Sequence, residues 1–160
     1  MLFIYRALIN LVIIFSPIII ILRLIKKKEH PIRFKEKLCF FSKKRGIGKL
    51  IWFHGSSVGE ILSIVPLIEN LEKDKSINKI LLTTSTLSSS NVIKKFKFKK
   101  TVHQFFPIDN DYFSKKFLNY WRPNNIFFIE SEIWPNILIK IKKRNIPLIL
   151  LNARNKKKTF

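Results

Sequence analysis

Apolar runs of strand length alternate with amphipathic segments in the part of the chain that begins at Leu50. Five runs have the length and composition of buried strands: LIWF, KILLTTS, VHQFF, NIFFIE and PLILLN. The segments between them, residues 60–73, 89–98, 111–121 and 135–144, carry apolar residues at helical spacing. Strands that alternate with helices in this way predict an α/β fold with a doubly wound parallel sheet and right-handed crossovers.

Polar stretches follow the five predicted strands, in the order HGSSVGE, TTSTLSSS, FPIDND, ESEIWPN and NARN. The carboxyl ends of parallel strands lie at one edge of a sheet, and the ligands of such sheets bind outside that edge. We therefore expect these loops to line one surface, which is the predicted functional surface.

A separate apolar segment precedes this pattern. Residues 7–22 carry no charge over 16 positions, slightly fewer than the about 20 that a straight transmembrane helix needs. Arg6 and Arg23 stand at the two ends and can extend their charged groups toward the interfaces. Lys26 to Lys28 follow where a cleaved signal peptide would have small residues, so we expect an uncleaved anchor with its basic side in the cytoplasm. A helix lying in the interface is the alternative, because polar residues and a proline interrupt the run.

The chain thus divides into three parts: residues 1–28 as membrane anchor and basic flank, 29–49 as a basic connector, and 50–160 as the α/β domain. Within the connector, PIRFKEKLCFF is a short helical candidate. A chain of 160 residues is long enough for one domain with a real core but not for two.

Lysine and arginine number 31 against 10 aspartate and glutamate residues, which gives a formal net charge of +21. This charge favours polyanionic partners such as nucleic acid, anionic lipid or phosphorylated substrates, although lysines also keep an apolar-rich chain soluble. The basic residues spread along the chain instead of gathering with aromatic residues on one face, so we expect no nucleic acid partner. The single cysteine, Cys39, excludes an internal disulfide.

Three interpretations compete for HGSSVGE, residues 54–60. Its GSSVG matches the G-x-S-x-G nucleophile elbow of hydrolases, with Ser57 as nucleophile. The one histidine downstream, His103, falls inside a predicted strand, which argues against a hydrolase. Ser57-x-x-Glu60 is also a capping box, the structural explanation of the glutamate. The third interpretation is a carboxylate placed to take a proton from an acceptor hydroxyl.

Taken together, HGSSVGE, TTSTLS, FFPID, IESEIWPN and IPLILLNAR resemble the N-terminal half of the 3-deoxy-D-manno-octulosonic acid (Kdo) transferases. The resemblance covers essentially the whole chain, including the anchor and the connector. It implies a Rossmann-like domain, the acceptor-binding half of a GT-B glycosyltransferase. It further implies inverting transfer of Kdo from CMP-Kdo to a lipid A precursor (lipid IVA) in lipopolysaccharide biosynthesis, with no metal and no other cofactor.

The resemblance also implies roles for individual residues. The family's general base is the glutamate of S-V-G-E, which corresponds to Glu60, and the first glutamate of E-x-E-x-W-P-N, here Glu130, stabilises the transition state. A fixed carboxylate favours an oxocarbenium-like sugar electrostatically. Glu132 has a competing explanation as a solvated loop carboxylate or a partner for Arg154. The matched residues of the acceptor-side loops are Ser56, Ser57, Gly59, Glu132, Trp134, Asn136 and Arg154.

Two positions depart from the family pattern. Gly55 stands where the family usually has serine, and Asn155 with a lysine run follows NAR. The sequence ends at Phe160, before the second domain that holds the nucleotide in family members. We therefore expect catalysis to need a C-terminal donor-binding domain or chain.

The other expected partners are a lipid A precursor and an anionic membrane surface, at the cytoplasmic face of a bacterial inner membrane. The run KKFKFKK, residues 94–100, is one candidate lipid surface, with a solvated helix end as the competing explanation. The alternative function is a catalytically silent membrane-anchored module that binds lipid or a partner, and a basic nucleic-acid-binding domain is the third and least favoured function.

Overall fold

Five parallel strands build one sheet in the computed structural model, which describes residues 2–130 and 133–151. The strands are β1 (Leu50–His54), β2 (Lys79–Thr84), β3 (Thr101–Phe105), β4 (Asn125–Ile129) and β5 (Leu148–Leu151). All neighbours pair in parallel, which confirms the predicted fold class. The predicted site residues Glu132 and Arg154 lie outside the described residues.

One α-helix precedes the sheet and four α-helices connect its strands. They are α1 (Leu2–Ile25), α2 (Val58–Lys73), α3 (Leu87–Ile93), α4 (Asp111–Trp121) and α5 (Pro135–Lys143). The helix expected over residues 89–98 starts earlier and is shorter, because Thr86 caps it by accepting from the Ser89 amide and the helix ends at Ile93. All of KKFKFKK therefore lies beyond the last helical residue, and the predicted end of this helix at residue 98 is wrong.

Both faces of the sheet are covered by helices. Side chains alternate along β1, so Ile51 and Phe53 pack under α2 and α3, whereas Leu50 and Trp52 pack under α4 and α5. All five residues of β1 are buried. Burial on both faces explains why this strand is nearly continuously apolar in the sequence.

The strand order β3-β2-β1-β4-β5 reverses between β1 and β4. From β1 the chain moves outward to β2 and β3, and then returns to the other side of β1 to form β4 and β5. Ligands of open α/β sheets bind in the crevice at such a reversal, outside the carboxyl ends of the strands. The loops that follow these two central strands contain HGSSVGE and ESEIWPN.

The connector packs against the edge strand β3 through a short 3-10 helix, Arg33–Leu38. Glu36, only 1% exposed, accepts a hydrogen bond from the Phe105 amide at 2.9 Å and so occupies a backbone group at the strand edge. Cys39 is buried beside this helix, and burial raises the pKa of its thiol to about 12. The connector therefore contributes to the core of the α/β domain.

Candidate functional site

The turn between β1 and α2 holds Glu60 at the N-terminus of its own helix. The Glu60 amide donates to Ser57 Oγ at 3.2 Å, and Glu60 Oε1 accepts from the Ser57 amide at 3.3 Å. Glu60 Oε2 accepts from the Ser56 amide at 2.9 Å. These contacts confirm the predicted capping box. They orient the carboxylate with two backbone amides, at a helix end whose dipole favours negative charge.

Gly55 lies in close packing between the two candidate carboxylate segments. A Cβ atom at this position would lie 3.3 Å from Glu60 Cβ, 3.2 Å from Ile61 Cδ1 and 3.3 Å from Ile129 Cδ1. Glycine thus lets the first turn of α2 approach the end of β4 closely. This is a physical reason for glycine at the position where the resemblance leads one to expect serine.

The loop after β1 is also tied to the loop after β2. The Ser56 carbonyl oxygen accepts from Ser89 Oγ at 2.8 Å, and Ser56 Oγ lies 3.2 Å from Ser85 Oγ. Two predicted site loops are therefore in direct contact at the carboxyl edge of the sheet.

The contacts of His103 rule it out as a hydrolase base for Ser57. Arg33 Nη2, which can only donate, lies 2.8 Å from His103 Nδ1, and Nε2 lies 2.9 Å from Thr84 Oγ1. Desolvation, with Arg33 and Lys94 nearby, lowers the pKa of His103 to about 3. Since both ring nitrogens are engaged elsewhere, the G-x-S-x-G match lacks its general base.

Glu130 follows β4 directly and is next to the turn after β1, because His54 pairs with Phe128 in the sheet. Its backbone is left-handed, with φ of 58°, and its amide donates to the Leu151 carbonyl at 2.7 Å. A residue other than glycine in this region costs about 1 kcal/mol or more and often marks a functional site. The structure thus brings Glu130 and Glu60 to adjacent loops at the strand-order reversal.

Asp109, in the loop after β3, is the buried carboxylate that sequence reasoning missed. It is 2% exposed, and it accepts from the amides of Asn136 and Ile137, both at 2.9 Å. Ser114 Oγ and Tyr5 Oη also donate to it, at 3.2 and 2.8 Å. Asp109 therefore caps α5 from a distant loop and joins α4, α5 and α1. The one signal in the sequence was an aspartate at a strand end, in FPID.

Asn136 and Trp134 occupy the start of α5. Asn136 is 1% exposed; its Nδ2 donates to the Asp109 carbonyl at 2.6 Å, and its Oδ1 accepts from Arg6 Nε at 2.9 Å. Trp134 is the N-cap residue, ahead of Pro135, and its ring lies 5.3 Å from the ring of Phe106. The described contacts of Asn136 are those of a residue that holds the loops together.

Among residues 2–130 and 133–151, no group of three His, Cys, Asp or Glu side chains is arranged to hold a metal ion. The chemistry that the described residues offer at the strand-order reversal is that of two carboxylates on adjacent loops.

Residues 32–160 match the model of a family described as 3-Deoxy-D-manno-octulosonic-acid transferase (kdotransferase). A relative from Arabidopsis thaliana, named probable 3-deoxy-D-manno-octulosonic acid transferase, mitochondrial, is 39% identical over 99% of this chain and 36% of its own length. A 3-deoxy-D-manno-octulosonic acid transferase from Rickettsia bellii (strain RML369-C) is 38% identical over 89% of this chain and 34% of its own. A 3-deoxy-D-manno-octulosonic acid transferase from Haemophilus influenzae is 33% identical over 65% of this chain and 24% of its own length. The chain spans about a third or less of the length of these curated relatives.

Proposed function

Because the chain belongs to the 3-deoxy-D-manno-octulosonic acid (Kdo) transferase family, we propose that it is the acceptor-binding half of a Kdo transferase. In this proposal the whole enzyme transfers Kdo from CMP-Kdo to a lipid A precursor, and a second domain or chain holds the donor. The supporting observation is the position of the two candidate carboxylates. Glu60, in the first turn of α2, and Glu130, directly after β4, follow the two strands between which the strand order reverses, where α/β sheets bind their ligands.

Glu60 acts as the general base in an inverting displacement. An acceptor hydroxyl oxygen forms a bond to the anomeric carbon of Kdo, its proton passes to a Glu60 carboxylate oxygen, and CMP leaves with the electron pair of the broken bond. The carboxylate must first leave the amides of Ser56 and Ser57. A hydrogen bond to a charged group contributes about 1.5–3 kcal/mol net, and water or substrate can satisfy the two amides after the carboxylate leaves, so the release costs little beside the barrier of a glycosyl transfer.

Glu130 stabilises the positive charge that develops on the sugar in the transition state. Its left-handed backbone and the hydrogen bond of its amide to β5 hold the main chain of this residue in one place, and the proposal requires its carboxylate to be held there as well. A carboxylate that is already fixed needs no reorganisation when the charge appears, and this is the condition for strong electrostatic stabilisation.

The remaining loop residues bind the acceptor or support the residues that do. Ser56, Ser57 and Gly59 form the turn that carries Glu60, and Trp134 lies at the start of α5. Asn136 contributes by holding this start in place, since its amide group binds Asp109 and Arg6. We expect the domain to work at the cytoplasmic face of a bacterial inner membrane, where its net positive charge favours an anionic surface.

The test is Glu60→Gln in the native polypeptide that contains this chain, assayed for Kdo transfer from CMP-Kdo to a lipid A precursor. Loss of a general base lowers kcat by about 10²- to 10⁴-fold, with CMP-Kdo binding unchanged. The matched control is Glu69→Gln, an exposed glutamate on the same helix, which should retain full activity. Normal turnover in Glu60→Gln would leave Glu60 with its capping role only. A wild-type polypeptide that binds lipid but transfers no Kdo would support the silent membrane module instead.

A further inference from the structure

One side of the N-terminal helix α1 is partly buried over most of its length. Half-buried side chains recur at every third or fourth position, at Tyr5, Ile9, Ile13, Ser16, Ile20 and Leu24. Residues at this spacing lie on one side of a helix. The helix therefore lies flat against the domain instead of projecting away from it.

Polar contacts hold the first turns of α1 against the carboxyl edge of the sheet. Tyr5 Oη donates to Asp109 Oδ2 at 2.8 Å, and Arg6 Nε donates to Asn136 Oδ1 at 2.9 Å. Arg6 Nη2 also pairs with Asp111 at 3.2 Å. These partners lie in the loop after β3 and in the first turns of α4 and α5, so the helix begins beside the proposed acceptor site.

The other end of α1 is held by the connector. Arg23 Nε donates to Glu29 Oε2 at 3.1 Å, and the same oxygen accepts from Lys37 Nζ at 2.7 Å. A cavity of about 290 Å³ runs between the second half of α1 and the 3-10 helix, with Phe34 and Leu38 on its far side. Both ends of α1 are thus attached to one body.

The opposite side of α1 is apolar and exposed. Within Ile4–Ile25, an 18-residue window has a mean hydropathy of 2.7, and only 6% of that window is buried. The exposed residues include Ile4, Leu11, Ile14, Ile18, Leu22 and Ile25. Soluble proteins rarely expose a continuous apolar surface of this length. Arg23 and Lys26 to Lys28 stand at its C-terminal end, which makes an anionic bilayer the complementary partner.

We propose that α1 lies in the plane of an anionic membrane, with its apolar side in the boundary between headgroups and acyl chains of a single leaflet and its other side docked on the domain. The inference rests on the membrane location in the proposed function. It places the loops after β3 and β4 at the interface, at the level where the headgroup of a lipid acceptor lies.

A helix that spans the bilayer is incompatible with the contacts of α1. Its two ends would lie about 30 Å apart across the hydrocarbon core. If the contacts of Tyr5 and Arg6 were kept, the segments that they bind would have to cross to the far side of that core. These segments include the ion pair of Asp111 with Lys140, at 2.8 Å. If those contacts were broken instead, the buried Asp109 would lose the Tyr5 donor and the buried Asn136 would lose the Arg6 donor, which is unfavourable for buried polar groups. The in-plane helix keeps every contact and still buries its apolar side.

The test measures the depth of four positions in proteoliposomes of phosphatidylethanolamine and phosphatidylglycerol, prepared by detergent removal so that either orientation can form. A Cys39→Ser background keeps the hydrogen bond to the Phe113 carbonyl and removes the native thiol. Single cysteines at Ile4, Ile14 and Ile25 then carry a fluorophore on the exposed side. The matched control is Ile13→Cys, adjacent in sequence but on the docked side. Quenching by lipids with a shallow or a deep nitroxide reports the depth.

The in-plane helix predicts the same shallow depth for Ile4, Ile14 and Ile25, and at least severalfold weaker quenching at Ile13 than at Ile14. A deep Ile14 between two shallow ends, with equal quenching at Ile13, would show a spanning helix and overturn the inference. Absence of quenching at all four positions would overturn the membrane location itself. Neither result depends on Kdo transfer, so failure of the inference is distinguishable from failure of the proposed catalysis.

Discussion

Glu60 and Asp109 are both buried carboxylates at the N-terminus of a helix, yet they are held in different ways. Glu60 accepts from the amides of Ser56 and Ser57, which are four and three residues away in its own turn. Asp109 accepts from the amides of Asn136 and Ile137, in the first turn of α5, and from Tyr5 in α1. One carboxylate stabilises a single turn, and the other joins several elements.

This difference separates a carboxylate that can move from one that cannot. The Glu60 side chain can leave the capping box, and water or substrate can then accept from the amides of Ser56 and Ser57 at the edge of the crevice. Departure of Asp109 would leave several buried donors without an acceptor, which costs about 1–3 kcal/mol for each group. The proposed function assigns the chemistry to the carboxylate that can move, whereas the contacts of Asp109 are those of a group that holds loops and helices together.

The largest expected effect on stability is that of Asp109→Asn. The substitution replaces one acceptor oxygen with an NH₂ group that faces the amide donors of α5, so the free energy of unfolding should fall by about 3 kcal/mol. Urea unfolding of the full chain in detergent micelles measures it. Asp111→Asn is the matched control, because its side chain is 52% exposed and its ion pairs should contribute less than about 1 kcal/mol. Equal losses in both variants would contradict the special position of Asp109.

The contrast also shows which parts of the molecule the sequence could predict. The five strands and the start of α2 were predictable, because apolar runs buried on both faces and a capping box are local signals. The contacts of Asp109 were not, since its partners Tyr5 and Asn136 are 104 and 27 residues away. The start of α3 was placed two residues too late because Thr86, which caps it, was not recognised, and its end was placed five residues too late, at 98 instead of Ile93.

A second prediction concerns pH. The pKa of His103 is lowered to about 3 in the folded protein, against about 6.5 in the unfolded chain. The unfolded state therefore binds a proton that the folded state does not, and stability is lost as the pH falls below about 6.5. The loss approaches 1.4 kcal/mol for each pH unit.

The variant that isolates this effect is His103→Gln. Its amide can still accept from Arg33 and donate to Thr84, but it does not titrate. Between pH 6.5 and 4.5 its free energy of unfolding should decline less steeply than that of the wild type in urea titrations. Identical slopes would mean that His103 is protonated in the fold, and the tautomer inferred from its contacts would then be wrong.

A smaller effect is expected when the local cap is weakened. Ser57→Ala removes the acceptor of the Glu60 amide and should cost about 1 kcal/mol. Thr86→Ala, at the start of α3, removes the same kind of contact to the Ser89 amide and serves as the comparison. Similar losses in thermal unfolding would identify Ser57 as an ordinary cap. A loss several times larger for Ser57 would show that its turn, like that of Asp109, holds more than one element.

The smallest expected effects on stability are those of alanine substitutions at Gly55 and Gly59, the two glycines on either side of this turn. A methyl group at Gly59 would meet nothing within 4 Å, so Gly59→Ala, in the first turn of α2, should stabilise the fold by about 0.5–1 kcal/mol. Gly55→Ala lowers the conformational entropy of the unfolded chain by a similar amount, which favours folding. However, it places its methyl group 3.2–3.3 Å from atoms of Glu60, Ile61 and Ile129. Its net change should therefore be zero or a loss of less than about 1 kcal/mol.

The variant Gly59→Ala also tests the assignment of Gly59 to the acceptor-side loop. If an acceptor approaches its backbone closely, Gly59→Ala raises the midpoint of thermal unfolding and increases KM for the acceptor. A more stable protein with an unchanged KM would show that Gly59 does not contact the acceptor. In that case the carboxylate of Glu60 would be the part of this turn that meets the substrate, and the turn itself would serve only to present it.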